Sequence, residues 1–328
     1  MSSTAGAGAT GAATAVRTAS TTGTRRTLTL QDGRTLSYLD FGGPGRPLLA
    51  LHGHLSEGAS FAALAAALGD AWRVVAPDQR GHGDSDRAAA YDRAGYLGDL
   101  RDLLDHLDLG PVVALGHSLG GINAIHLAAE DPDRVAALVA VDTAVDLPDT
   151  GTSPLAFVLG LPWTAATREE LVAACGPLGP VVAPALRPLP DGSGWRLPFH
   201  PQDTVTSENA VHGDHWAQWL TSSCPALLVH GRRSQVLSAA QADAMVARRP
   251  GTTYAALDTD HFVALQDPEG FAAAVTAFLA ALQHAEGAAD RNRSTAPSQV
   301  LRMRYLTTVI RPVAGGASGA AAEECAPR

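Results

Sequence analysis

The sequence contains few cysteines, few aromatic residues and no long apolar run, and each scarcity excludes a class of protein. Its three cysteines, Cys175, Cys224 and Cys325, are odd in number and lack the spacing of metal ligands. This pattern predicts neither a disulfide framework nor a metal site, and it favours a reducing, cytoplasmic compartment. No stretch reaches the roughly 18 to 20 consecutive apolar residues that a membrane-spanning helix needs. We therefore expect no membrane partner.

Clusters of basic residues are also absent. The formal net charge is −9, and Lys and Arg form only short pairs such as Arg25-Arg26 and Arg232-Arg233. This charge pattern argues against nucleic acid as a partner, because few cations are available to neutralise a phosphate backbone. The first residues lack the basic and apolar regions of a secretory signal. Arg25-Arg26 resembles a twin-arginine export signal, but the strand pattern that follows it disfavours export.

Both ends of the chain differ in composition from its middle. Residues 1–25 are almost wholly Ala, Thr, Gly and Ser, with too few apolar side chains to offset the entropy of ordering the backbone. We expect a disordered leader there and a mostly disordered tail over residues 285–328, although residues 300–313 carry enough apolar residues to dock as a short segment. Residues 26–284 fit one domain with an insertion.

Strand and helix patterns alternate through the middle of the chain, which is typical of a parallel sheet flanked by helices. The alternation breaks over residues 143–223, where prolines recur and four of the five tryptophans lie. We predict an inserted cap there and a core made of residues 26–142 and 224–284. After an initial hairpin, the predicted elements are the strand PLLALHG, helix 59–68, strand 72–76, helix 96–107, strand 111–115, helix 119–129, strand 136–141, strand 225–231, helix 239–248, strand 253–257 and a helix from Pro268.

A serine flanked by glycines follows the predicted strand 111–115. The segment from Gly116 to Gly120 reads GHSLG, which matches the nucleophile elbow that joins a strand to a helix. That turn is so sharp that the positions two before and two after the serine require glycine. A glycine-rich turn with an incidental serine is the plainer interpretation. The flanking strand and helix favour the elbow, and Ser118 is therefore the predicted nucleophile.

A serine hydroxyl is a poor nucleophile unless a base removes its proton, and histidine has the pKa suited to taking and returning that proton. His261 lies between the predicted strand 253–257 and the helix from Pro268. It is therefore placed on a loop at the carboxyl edge of the sheet, where sites form in open α/β sheets. We predict that His261 is the base.

Several short segments resemble motifs of the α/β-hydrolase superfamily, and the resemblance covers residues 26–284. It implies an α/β-hydrolase fold, in which a mostly parallel eight-stranded sheet has helices on both faces and a cap inserted after the sixth strand. It also implies an oxyanion hole formed by the backbone N–H groups of His54 and Leu119; the His54 side chain itself has the plainer role of filling the wall of the site. The matching segments, in chain order, are HGH (52–54), DQRGHGDSD (78–86), GHSLGG (116–121) and DH (260–261).

The acid of the implied triad is missing from its usual place. Most members of the family carry it three residues after the glycine that ends the seventh strand, where this sequence has Ser234. Some members carry it after the sixth strand instead, and Asp142 stands there. We predict that Asp142 orients His261, the alternative being that Asp142 only caps the following loop. Asp258 and Asp260 are further candidates, although adjacent side chains on an extended loop point apart.

A serine nucleophile favours acyl chemistry, because the aspartate-nucleophile branches of the family form an alkyl ester on a carboxylate. The sequence predicts a carboxylic ester hydrolase that acts without a cofactor on an ester, lactone or related acyl bond of a small, apolar substrate. Carbon–carbon hydrolase, thioesterase, lyase and perhydrolase reactions use the same triad. A ligand-binding protein without turnover is an alternative from another class. The candidates for substrate contact are Trp163, Arg232 and Arg233.

Overall fold

A computed structural model describes residues 22–148 and 151–295, with side chains described through residue 287. Most of the predicted leader, and residues 300–313 of the predicted tail, lie outside the described residues. One compact unit extends to Ala285, and Glu286 begins a second. Within the described part of the chain, no helix is long and apolar enough to cross a membrane.

Eight strands form one sheet in the order β1-β2-β4-β3-β5-β6-β7-β8. The first two strands pair antiparallel, as do β2 and β4, and every other neighbouring pair is parallel. The fold class predicted from the sequence is therefore confirmed. The strands are β1 (Thr24–Thr29), β2 (Thr35–Asp40), β3 (Arg46–Leu51), β4 (Trp72–Pro77), β5 (Val112–His117), β6 (Val135–Val141), β7 (Ala226–Gly231) and β8 (Thr252–Leu257).

Ten α-helices accompany the sheet in the described residues, and short 3-10 turns join several of them. The α-helices are α1 (Ala62–Leu68), α2 (Arg93–His106), α3 (Leu119–Glu130), α4 (Arg168–Ala174), α5 (Gly179–Val182), α6 (Pro201–Val211), α7 (Trp216–Thr221), α8 (Ala239–Arg248), α9 (Val263–Gln266) and α10 (Pro268–Thr295). The 3-10 turns are Gly58–Phe61, Gly69–Ala71, Pro132–Arg134, Ala156–Gly160, Gly176–Leu178 and Ala183–Ala185.

Apolar side chains cover both faces of the sheet, which explains why its central strands are apolar throughout. In β5, Ala114 packs in the cluster on one face, and its neighbours Val113 and Leu115 pack in the cluster on the other. Successive side chains of a strand point to opposite faces, so a strand that is buried on both sides needs apolar residues at every position.

The strand register brings the predicted site residues to one edge of the sheet. His117, the last residue of β5, pairs with Val141, the last residue of β6, and Val141 pairs with Val229 of β7. Ser118 and Asp142 come directly after the first two of these residues. Because parallel strands share their carboxyl edge, both side chains leave the sheet at the same edge.

The residues between β6 and β7 contain short helices and five two-residue strands. Most of their buried apolar residues form a separate cluster that includes Val158, Leu171 and Phe199. The helix α7 is an exception, because Trp219 is fully buried in the cluster on the main sheet and its Nε1 donates to the Met245 carbonyl. A tryptophan that the sequence suggested for the cap therefore stabilises the core.

Element boundaries differ from the predictions mainly at the chain ends. β1 begins at Thr24, inside the predicted leader, because pairing with β2 through backbone hydrogen bonds does not require apolar side chains. α10 begins at Pro268 as predicted and continues to Thr295, beyond the predicted start of the tail at residue 285. The four-residue helix α9 was not predicted, since its single turn is too short to show helical periodicity.

Candidate active site

Ser118 occupies a strained turn between β5 and α3. Its φ is +53° and its ψ is −119°, a backbone conformation that residues other than glycine rarely adopt. The predicted elbow glycines are needed for close packing: a Cβ on Gly116 would lie 2.1 Å from the Gly120 carbonyl oxygen, and one on Gly120 would lie 2.2 Å from the Leu51 carbonyl oxygen. The backbone N–H of Ser118 donates to the Val141 carbonyl at 3.1 Å. The turn is thus fixed to the end of β6.

Asp142 follows β6 with a φ of +45° and is fully buried. Its Oδ1 accepts a hydrogen bond from the Gly231 N–H at 2.9 Å. Its Oδ2 accepts from the Ser234 hydroxyl at 2.5 Å and lies 2.7 Å from His261 Nδ1. The structure therefore directs this carboxylate to the histidine and to the end of β7.

The two other candidate acids face away from the imidazole. Asp258 forms an exposed ion pair with Arg233. Asp260 accepts hydrogen bonds from the Phe262 N–H at 2.9 Å and from the Gln266 side chain at 2.5 Å. Asp258 is thus occupied by an arginine that follows β7, and Asp260 by groups of its own loop.

His261 is held by its backbone as well as by its side chain. Its carbonyl oxygen accepts a hydrogen bond from His117 Nε2 at 2.8 Å, and the centroids of the two imidazole rings lie 4.6 Å apart. His117 immediately precedes Ser118, so the elbow and the histidine loop are directly joined. With Nδ1 bonded to Asp142, the nitrogen of His261 that remains for proton transfer is Nε2.

The elbow histidine itself was not singled out from the sequence. Burial, followed by the charge of His261, lowers the pKa of His117 to about 3. The ring is therefore neutral near pH 7 and donates through Nε2 without placing a positive charge beside His261. The only sequence signal for this role was a polar residue between Gly116 and Ser118, a position of the motif that accepts any residue type, and that signal is weak.

The predicted oxyanion loop packs directly on the elbow. A Cβ on Gly53 would lie 3.1 Å from the Ser118 Cβ and 2.8 Å from His117 Nδ1, so the backbone that leads into His54 touches the serine. Within residues 22–148 and 151–295, neither the His54 N–H nor the Leu119 N–H donates to a protein acceptor. Two amides beside a serine are thus free to bind an oxygen atom.

The side chain of His54 bonds to the cap. Its Nε2 lies 2.8 Å from the Ser207 hydroxyl and its Nδ1 lies 3.1 Å from Glu208 Oε2, both on α6. The Ser207 hydroxyl lies 2.7 Å from the Tyr96 hydroxyl. The His54 ring thus joins a carboxylate through Nδ1 and a chain of two hydroxyls through Nε2, and both of its nitrogens have a partner. The plainer interpretation of His54 as a filler of the wall is therefore incomplete.

Glu208 is the acceptor at the end of this network. Burial alone would raise the pKa of its carboxyl, but the hydrogen bond and charge of His54, with a further contribution from His212, bring the pKa below its ordinary value. The carboxylate is thus ionised near pH 7 and acts only as an acceptor.

The three candidates for substrate contact have partners of their own or are exposed. Trp163 packs against His200, 5.2 Å between ring centroids, beside a cavity of about 140 Å³. Arg232 is exposed, and Arg233 forms its ion pair with Asp258. In the described part of the chain, none of the three forms a hydrogen bond, ion pair or ring contact with Ser118 or His261, and their role in substrate contact stays a prediction.

Comparison with known proteins agrees with the fold and the motifs. A family model described as alpha/beta hydrolase fold matches residues 46–268. The chain belongs to the α/β-hydrolase family. Ser118 lies in the turn between the fifth strand and α3, and His261 and Asp142 lie in the loops after the eighth and sixth strands.

Hydrolases are prominent among the similar proteins. Lipase LipV of Mycobacterium tuberculosis is 39% identical over 166 residues, which cover 47% of this chain and 63% of that protein, so the chain spans less than two thirds of its length. The 3-hydroxybutyrate-oligomer hydrolase of Cupriavidus necator is 30% identical over 239 residues, covering 65% of this chain and 82% of that one. The solved structure of E-2-(acetamidomethylene)succinate hydrolase superposes with a TM-score of 0.71 at 26% identity, covering 78% and 99% of the two chains.

Proposed function

We propose that this protein is a serine hydrolase that cleaves a carboxylic ester, lactone or related acyl bond through an acyl-enzyme. The observation that carries the proposal is the 2.7 Å contact between the buried Asp142 carboxylate and His261 Nδ1. The loop of His261 is in turn hydrogen-bonded to His117, the residue before Ser118. This contact is the arrangement that converts a histidine into a base for a serine hydroxyl.

In the first step, the Ser118 hydroxyl attacks the substrate carbonyl and passes its proton to His261 Nε2. Asp142 stabilises the resulting imidazolium through Nδ1–H. The tetrahedral intermediate collapses when His261 returns the proton to the leaving oxygen, and an acyl-Ser118 ester remains. A water molecule, deprotonated by the same imidazole, then attacks that ester and regenerates the serine.

The developing oxyanion is assigned to the free N–H groups of His54 and Leu119. Each such donor contributes about 3 kcal/mol to the stability of the transition state in enzymes of this chemistry. Leu119 is the first residue of α3, so the partial positive charge of the helix N-terminus adds to the same site.

The substrate is proposed to be a small molecule with an apolar acyl or alcohol group. Leu55, directly after His54, packs in the same apolar cluster as Val158 and Phe199 of the cap, and this favours an apolar ligand beside the oxyanion hole. The names lipase and oligomer hydrolase among the relatives support an ester. The scattered cysteines support a cytoplasmic location.

Labelling with a fluorophosphonate tests the proposal. Such probes phosphonylate a serine only when a neighbouring base activates it, so the wild-type protein should be labelled and Ser118→Ala should not. Peptide mass mapping should place the adduct on Ser118. An unlabelled wild-type protein that still binds small apolar esters would instead support the alternative of a ligand-binding protein without turnover.

A further inference from the structure

Ser234 stands where most members of the family carry the triad acid, and its hydroxyl touches the acid that this chain uses instead. The distance from Ser234 Oγ to Asp142 Oδ2 is 2.5 Å, and Oδ2 is the oxygen that also faces His261. Building on the proposed function, we infer that Ser234 is a positioning residue that fixes the Asp142 carboxylate for His261 and draws off part of its negative charge.

The direction of the Ser234 proton follows from its other contacts. Its Oγ accepts hydrogen bonds from the backbone N–H groups of Val236 at 3.1 Å and Leu237 at 3.4 Å. A hydroxyl has two acceptor lone pairs and one proton. Since the amides occupy the lone pairs, the proton is left to donate, and the nearby acceptor is the Asp142 carboxylate.

The turn that carries Ser234 is itself held in place. The Ser234 N–H donates to the Gly231 carbonyl at 2.8 Å, and the Gly231 N–H donates to Asp142 Oδ1 at 2.9 Å. One short turn therefore binds both oxygens of the carboxylate. Because two fixed donors on different oxygens prevent rotation of the carboxylate group, Oδ2 stays directed at His261 Nδ1.

The Asp142 carboxylate relies on donors from the protein. Asp142 is fully buried, and a charge-assisted hydrogen bond to a buried carboxylate is stronger than one between neutral groups. Without Ser234, His261 would be the remaining partner of Oδ2. The negative charge would then concentrate on that oxygen, and the imidazolium of His261 would be stabilised more strongly than in the wild type.

The groups that face His261 determine how clearly this effect can be measured. On β5 the neighbour is His117, which is neutral near pH 7, and after β6 it is Asp142. On the histidine's own loop, Asp260 bonds to Gln266 and Phe262, and Asp258 pairs with Arg233. Asp142 is thus the carboxyl group in direct contact with the ring, and a change at Ser234 acts through it.

The test compares Ser234→Ala, Ser234→Thr and the wild type. We expect Ser234→Ala to lower kcat about tenfold, because a carboxylate that has lost one of its two fixed donors positions His261 less well, and this loss outweighs the stronger stabilisation of the imidazolium. KM should stay within about twofold, because Ser234 does not touch substrate. The acid limb of the pH profile should move upward by about half a unit, as should the His261 pKa followed by NMR of labelled histidine. Ser234→Thr, which keeps the hydroxyl, should restore both.

Ser238→Ala is the matched control, since Ser238 caps the nearby helix α8 through the Gln241 N–H and has no contact with Asp142. It should lower stability and leave the pH profile in place. Wild-type kcat and an unmoved His261 pKa in Ser234→Ala would overturn the inference. The NMR titration does not require turnover, so it decides the role of Ser234 even if fluorophosphonate labelling of the wild type fails and the proposed hydrolase activity is rejected.

Discussion

Backbone strain at single residues is concentrated at the candidate site. Among the described residues, four non-glycine residues have positive φ, and three of them are Leu55, Ser118 and Asp142. Each such conformation costs on the order of 1 to 3 kcal/mol and persists only where surrounding contacts impose it. The strain at Ser118 raises the nucleophile above the sheet, and the strain at Asp142 turns the carboxylate toward His261.

Asp142→Asn is the residue-scale test of the triad acid. The amide keeps the shape of the side chain but removes the charge that stabilises the imidazolium and favours the tautomer with Nε2 unprotonated. We expect kcat for an activated ester to fall by about 10³ to 10⁴ with KM little changed. Steady-state kinetics measure this, and turnover close to that of the wild type would show that Asp142 is not the acid.

His117→Ala tests the link between the elbow and the histidine loop. Loss of the hydrogen bond to the His261 carbonyl frees that loop, so kcat should fall by about threefold to tenfold. His117→Gln retains an N–H donor of similar reach and should recover part of the loss. Equal kcat in His117→Ala and the wild type would show that the loop is held by Asp142 alone.

Residue types and motif positions were sufficient to predict much of this site. Ser118 was predicted from a strand-to-helix turn that requires glycine on both sides. Asp142 was predicted from the family resemblance, which implies an acid after the sixth strand. The contacts of Ser234 and the side chain of His54 could not be predicted, because both depend on segments that are far apart in sequence. Whether a hydroxyl donates to a carboxylate depends on atomic distances that no pattern encodes.

At the scale of elements, α6 of the cap is connected to the oxyanion loop through His54. Ser207→Ala would leave both His54 Nε2 and the Tyr96 hydroxyl with a lost partner in a buried setting. We expect the free energy of unfolding to fall by about 1 to 3 kcal/mol and kcat to fall with it, since the His54 N–H belongs to the same residue. Urea unfolding and ester kinetics measure the two effects.

The control for this change lies on the same helix. Thr206 is exposed, and its hydroxyl bonds only within the helix, to the Gln202 carbonyl. Thr206→Ala should change stability by less than about 0.5 kcal/mol and leave kcat unchanged. If the two variants behaved alike, the buried network would have no special role.

The prediction of elements from sequence succeeded where periodicity was long and failed where structure depends on distant partners. The helix α8 was predicted with its exact bounds, Ala239–Arg248, because its apolar face repeats over several turns. The two-residue strands of the cap, such as Trp195–Arg196, were not predicted. Such strands are too short to show an alternation of apolar and polar residues, and whether they form depends on the segments with which they pair.

At the scale of the whole molecule, several histidines are neutral because they are buried. Burial is the first cause that lowers the pKa of His52, His82 and His117 to about 3 and that of His126 to about 4. In the unfolded chain these side chains take up protons below pH 6.5. The unfolded state therefore binds more protons than the folded state between about pH 6.5 and pH 3, and acid favours unfolding.

The free energy of unfolding should accordingly fall as the pH decreases from 6.5, by at most about 1.4 kcal/mol per pH unit for each histidine that stays neutral. Above pH 6.5 their contribution to the slope should shrink and nearly vanish by about pH 7.5, since the unfolded chain then also carries them neutral. Urea unfolding at pH 7.5, 6.5 and 5.5 measures both regions. A free energy that stays level from pH 6.5 to 5.5 would contradict the burial of neutral histidines.

The proposed acyl-enzyme requires a covalent bond between the substrate and Ser118. The decisive measurement is intact mass spectrometry of the protein, quenched with acid shortly after mixing with an activated short-chain ester. We predict a mass increase equal to one acyl group, located on Ser118 by peptide mapping, abolished in Ser118→Ala and formed far more slowly in Asp142→Asn. Ester hydrolysis that continues at the wild-type rate in Ser118→Ala, or an acyl group found on another residue, would contradict the account.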